Sequence, residues 1–233
     1  MILFTKLFLA HLIGDFLLQP LRWVIHKETQ KVKSKYLYLH ILVHFVVTML
    51  LLWDWTYWKV VLVIVTTHYF IDLAKLYTTP WFKNKSIPFF IDQFLHILVL
   101  YACSYYGGVL QHTENWFGQL DWGLITALVF VSFPSAIIMG KLLEGMSAQI
   151  EFDHKSLPNA GKYIGILERL FVLIFIILGR WDAIGLLITA KSVFRFNDLK
   201  EGNSRKLTEY ILIGTLLSFG LAMATGLVYM SYR

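Results

Sequence analysis

The stretch HLIGDFLLQP, residues 11–20, sits in an apolar run that begins at residue 2, yet it carries a histidine, an aspartate and a glutamine at four-residue intervals. Polar side chains surrounded by hydrocarbon are costly unless they pair, line water or bind a cation. The stretch therefore reads either as a built site inside a membrane helix or as a defect in one. The residues around it decide between these.

Composition sets the class. The chain has 233 residues, of which 57% are hydrophobic, 16% aromatic and only 15% charged, and its mean hydropathy is +0.61. This composition predicts an all-α, polytopic integral membrane helix bundle. Apolar runs that can cross a ~30 Å hydrocarbon core fall at 2–21, 36–53, 58–77, 88–106, 122–143, 163–179, 182–197 and 208–230, which predicts about eight transmembrane helices. Loops 22–35, 78–87, 144–162 and 198–207 hold five, two, two and three Lys or Arg, whereas 54–57, 107–121 and 180–181 together hold one. Positive loops stay on the cytoplasmic side, so both termini are expected outside the cell's inner (cytoplasmic) membrane. The formal charge of +6 is then a topology signal and not a nucleic-acid footprint. The first run lacks a basic leader and a small-residue cleavage site, so it is expected to belong to the mature protein. A single domain over 1–233 is expected, with a His/Asp-rich half at 1–106 and a second helical half at 122–233. The basic segment RWVIHKETQKVKSK adjoins the first helix and can meet anionic lipid head groups.

The early helices repeat the opening pattern. His11 and Asp15 lie on the first, His40 and His44 on the second, His68 and Asp72 on the third, Asp92 and His96 on the fourth, each pair spaced i, i+4. That spacing puts two side chains on one helix face, as bundle metal sites require. Measured along each helix from its cytoplasmic end, His11, His44, His68 and His96 fall roughly 12–15 Å deep. Asp15, His40, Asp72 and Asp92 fall roughly 6–9 Å deep, giving two layers. These eight residues are the expected metal ligands, with Asp15, Asp72 and Asp92 as candidate catalytic carboxylates. Nitrogen and oxygen donors without sulfur suit zinc best, with manganese or iron as alternatives. Cys103 is the sole cysteine, which excludes a thiolate cluster. Gln19, Lys75 and Gln93 flank the set on its cytoplasmic side and can orient ligands or bind substrate.

The segments HLIGDFLLQP, LHILVHF, HYFIDLAK and IDQFLHI, followed by NAGKYIGILERL, AKSVFRF and EYILIGTLLS, resemble a family of uncharacterised bacterial multi-pass membrane proteins of unknown function. The resemblance supports the choice of residues and implies no particular reaction. A looser similarity, carried by the His and Asp pairs alone, is to membrane-bound metal-dependent hydrolases.

In the second half, Lys162, Arg169, Lys191 and Arg195 lie toward the cytoplasmic end of their helices, with Glu168 and Glu209. They predict either a pocket for a phosphate or carboxylate head group or interhelical ion pairs such as Glu168–Lys191. The sequence has no Gly-x-Ser-x-Gly elbow, and NAGKYIG lacks the spacing of a phosphate-binding loop. The leading expectation is a metal-dependent hydrolase acting from the cytoplasmic side on a lipid-like or phosphoester substrate. The alternatives are a divalent-cation transporter and a non-enzymatic sensor with a structural polar core.

Overall fold

The computed structural model describes residues 2–107, 120–147, 159–201 and 205–232, which form helices joined by short turns. They fall into two compact units, Met1–Val129 and Phe130–Arg233.

In the first unit α1 (Ile2–Leu12) runs into a single π turn, Ile13–Leu17, which ends at Pro20. The Leu18 amide donates five residues back to the Ile13 carbonyl at 2.9 Å, and Pro20 offers no amide with which to continue. The chain then turns into α2 (Leu21–Gln30), which with its following turn lies at 84° to α1. The expected loop at 22–35 is thus largely a helix. Leu21 and Ile25 are exposed on one side of α2 and Lys27 is buried on the other, so the segment is amphipathic despite its charge. Beyond it come α3 (Lys35–Leu52), α4 (Trp58–Thr78) and α5 (Ser86–Gly107). Helix α1 packs on α3 and α5, and α4 packs on the same two, so the four close into a ring.

Each helix turns one narrow stripe inward, and α1 buries Lys6, Leu9, Ala10 and Leu12 besides. The stripes are Leu3, Leu7, His11 and Gly14 from α1 and its π turn; Leu37, His40, His44, Thr48 and Leu52 from α3; Val61, Ile64, His68 and Asp72 from α4; and Asp92, His96, Leu100 and Gly107 from α5. Leu3, Leu7, Leu52, Tyr57, Val61, Ile64, Val65 and Leu100 form an apolar core at one end of the ring. The stripe then changes chemistry without changing period, and histidines and aspartates occupy the remaining core positions. Leu42, Leu50, Leu62, Phe70, Phe94 and Leu98 face outward. Apolar residues outside and polar ones within is the arrangement expected of a bundle whose solvent is lipid.

In the second unit α9 (Ala160–Ile177) packs on α7 (Phe133–Leu142), α10 (Trp181–Glu201) and α11 (Arg205–Tyr232), around Val172, Ile176, Ile184, Phe219 and Ala222. Helix α6 (Trp122–Val131), which belongs to the first unit as far as Val129, leads into α7 through a bend, and a short α8 (Glu144–Ser147) follows α7. Pro134 lacks the amide that would reach the Phe130 carbonyl, and Ser135 Oγ donates to that carbonyl instead, at 2.6 Å. Arg169 Nε and Nη2 donate to the next two carbonyls, Val131 at 2.7 Å and Ser132 at 3.3 Å, and Nη1 donates to Ser218 Oγ at 3.0 Å. The α9–α10 turn closes on Gly179 (φ 69°), with the amides of Gly179 and Arg180 donating to the carbonyls of Ile176 and Phe175 at 3.0 and 2.8 Å.

Several helices are long and apolar enough to span a membrane, which marks a membrane protein. Among the described residues four helices meet that test, and up to six spans result if each of two bent pairs counts as one. The expected count of about eight is therefore not reached by length and composition alone. Helix α9 accounts for part of the difference, because Lys162, Glu168 and Arg169 interrupt its apolar sequence.

Candidate metal centre

All eight residues of the four pairs meet inside the ring of α1, α3, α4 and α5. Their possible ligand atoms form three groups, each with members within 4.8 Å of one another: His11, Asp15, His44 and His68; His40, His68 and Asp72; and Asp15, Asp92 and His96. None of the five histidines is more than 3% exposed, and Asp72 and Asp92 are buried with them.

Asp15 is the hub. Its Oδ1 lies 3.0 Å from His44 Nε2, 3.2 Å from His40 Nε2 and 3.5 Å from His68 Nε2. Donors bound at about 2.0–2.1 Å to one tetrahedral ion stand roughly 3.3 Å apart, which is the scale of these separations. His40 Nε2 and His68 Nε2 are themselves 3.1 Å apart. The four rings expected deepest stay together, with centroids 4.0 Å apart for His44–His68 and for His68–His96, and 5.1 Å for His11–His96. With Thr48 they line a cavity of about 10 Å³, room for one water-sized occupant.

The surroundings fix these side chains in place. Gln93 Nε2 donates to Asp15 Oδ2 at 2.9 Å and to Asp92 Oδ2 at 3.2 Å, and Gln93 Oε1 lies 3.2 Å from His11 Nε2. The Gln19 amide meets the His40 ring at 3.0–3.1 Å. Lys75 Nζ donates to Asp92 Oδ2 at 2.8 Å. Three carboxylates against Lys27 and Lys75 leave one net negative charge when the imidazoles are neutral. The donor set and charge suit a divalent ion, which satisfies buried carboxylates and imidazoles together. Gln19, Gln93, Asp15 and Lys75 are partly exposed, so the mouth of the site lies on their side.

Two contributors escaped the sequence reading. Lys27 reaches inward from α2 and donates to Asp72 Oδ2 at 2.9 Å. Five Lys and Arg crowd that segment, and only the helical phase of α2 distinguishes the one that turns inward. Gly14 is the other: a Cβ there would stand 2.4 Å from His44 Cε1 and Nε2, so the close seat of His44 requires glycine.

The basic residues of the second half have other partners. Arg169 is buried on the carbonyls of the α6–α7 bend, Lys191 pairs with Glu168, and Lys162 lies over the Phe133 ring at 4.9 Å. Arg195 is on α10 among side chains outside the described ones.

Neither the comparison with curated proteins nor that with solved structures gives a match. A family model does match, over residues 3–123, and it bears the description "Protein of unknown function (DUF3307)". Those residues take in every side chain of the His/Asp centre and stop before α9, so NAGKYIGILERL, AKSVFRF and EYILIGTLLS lie outside the matched segment. With more than half its length covered, and the His/Asp ring wholly inside that half, the chain belongs to the DUF3307 family.

Proposed function

We propose that the protein is a membrane-embedded metalloenzyme, a hydrolase acting on a lipid-like or phosphoester substrate that enters from the cytoplasmic side. The observation that carries the reading is the convergence of five histidines and three aspartates from four helices, with ligand atoms within 4.8 Å in overlapping groups. Zinc is the proposed ion, with manganese or iron as substitutes. A bound ion of this kind polarises a phosphoryl or acyl oxygen and lowers the pKa of water to about 7.

The chain's own residues supply the rest. Asp72, held by Lys27, accepts a proton. Lys75, with its side chain 32% exposed, draws an anionic head group to the mouth. Gln19 and Gln93 donate hydrogen bonds there and keep His40 and Asp15 in position. Acyl chains remain in the bilayer against the outward apolar faces.

In this reading the protein lies in the inner membrane with eight crossings and both termini outside. Helices α9 and α10, of 18 and 21 residues, supply the two crossings that their charged residues disguise. Helix α2 and its following turn carry Arg22, Lys31 and Lys33 beside the cytoplasmic mouth.

The test is release of phosphate or fatty acid from phosphoester and acyl lipids by the protein in proteoliposomes, with and without chelator. The expected result is metal-dependent release that vanishes in His44→Ala/Asp72→Ala. Metal-loaded protein that releases neither product above the level of that variant would overturn the hydrolase reading.

A further inference from the structure

We infer that the centre holds two ions bridged by Asp15, the second bound by Asp92 and His96. This second site presupposes the metal centre proposed above.

The three ligand groups overlap at two residues of different chemistry. His68 belongs to the first and second groups, and Asp15 to the first and third. An imidazole nitrogen has one lone pair, and His68 turns the same nitrogen toward both of its groups. Its Nε2 is 3.1 Å from His40 Nε2, 3.5 Å from Asp15 Oδ1 and 3.9 Å from Asp72 Oδ1. One lone pair serves one ion, so the first and second groups compete. A carboxylate has two oxygens, and Asp15 aims them apart. Oδ1 faces His40, His44 and His68, whereas Oδ2 faces Gln93 at 2.9 Å and His11 at 3.7 Å. With the first ion held by Asp15 Oδ1, His44 and His68, and His11 on the Oδ2 side, the first and third groups can fill together across Asp15. The second group already has a cation, because Lys27 stands 2.9 Å from Asp72.

The third group carries its own sign of a missing partner. Among the described residues, the buried side-chain atoms without a hydrogen-bond partner are Asp92 Oδ1 and both ring nitrogens of His96. These residues are 2% and 3% exposed, out of reach of bulk solvent. Asp92 Oδ2, by contrast, accepts from Lys75 and Gln93. One amide, that of Gln93, donates to Asp15 and Asp92 together and holds the two carboxylates side by side. A cation between Asp15, Asp92 and His96 satisfies the orphaned oxygen and one orphaned nitrogen at once. Two divalent ions against one net negative charge leave the pocket positive, which selects a substrate with anionic oxygens, a phosphoryl group above all.

The experiment is titration of chelator-stripped protein in detergent with Mn(II), counting bound ions per chain and recording the electron paramagnetic resonance spectrum. Wild type is expected to bind two ions with an exchange-coupled spectrum. His96→Ala, and His96→Phe, which keeps a ring in place, are expected to bind one, with the spectrum of an isolated ion; thermal unfolding of the stripped variants checks that they fold. One ion in wild type, or two in wild type and in both variants, overturns the second site and leaves the metal centre standing. Two magnetically independent ions overturn the Asp15 bridge. No bound ion overturns the site and the metal reading alike.

Discussion

Gly14→Ala tests how tightly the centre is built. The added methyl would sit 2.4 Å from Cε1 and Nε2 of His44 and 2.9 Å from Cδ2. Ordinary carbon contacts are at about 3.5–4.0 Å, so the ring must retreat by about 1 Å. It cannot do so freely, because its Nε2 is 3.0 Å from Asp15 Oδ1 and its centroid 4.0 Å from that of His68. Overpacking of this kind costs about 1–3 kcal/mol. The intrinsic gain from replacing a helical glycine by alanine is about 1 kcal/mol, so the clash prevails. Displacing a ligand should lower metal affinity at least as much as disturbing its support, about 10–100-fold. The assay is competitive titration with a chromophoric chelator, together with thermal unfolding. Gly140→Ala is the control, since a Cβ there meets nothing within 4 Å. Wild-type metal affinity and unfolding temperature in Gly14→Ala would refute the account of His44.

Other perturbations separate the roles of the buried charges. Lys27→Met in metal-free protein leaves Asp72 buried without its cation and should cost about 3–5 kcal/mol by denaturant unfolding. Adding Asp72→Asn should recover most of that loss, and a failure to recover it would mean that the pair is not coupled. Arg169→Ala takes from the Val131 carbonyl its donor, while that of Ser132 keeps the Ala136 amide, and should cost about 1–3 kcal/mol. Its metal content should stay at the wild-type value, and a loss of metal would place Arg169 in the centre after all. Ion present at 100 times its Kd should stabilise the protein by about 2.7 kcal/mol, seen as a fall in unfolding temperature on chelation. An unchanged temperature would argue that the cluster folds without an ion.

The four i, i+4 pairs were legible because a helix has a fixed period, and a polar residue at a core position of an apolar helix has few explanations other than a site. His11, His40, His68 and Asp92 could therefore be placed together from spacing and loop charge alone. Lys27 could not, since its inward turn depends on the break at Pro20 and the 84° angle that follows, and neither has a local periodic signal. Gly14 was hidden for a related reason: an absent side chain announces nothing until the neighbour that needs the space is known. In the second half, spacing gave the Glu168–Lys191 pair as one of two readings, and the structure has that pair. Arg169 reads from sequence as a head-group ligand, but it donates to the Val131 and Ser132 carbonyls at the α6–α7 bend, more than thirty residues earlier in the chain. A charge bound to a bend in another helix leaves no trace in its own flanking residues.

The central claim is that the His/Asp ring binds metal, and elemental analysis of detergent-purified protein tests it most directly. Wild type should carry zinc, manganese or iron at one ion per chain or more, and His44→Ala/Asp72→Ala should carry at least one ion fewer. Metal-free wild type, purified without chelator and supplied with these ions, would contradict the claim and leave the His/Asp ring as a hydrogen-bonded core.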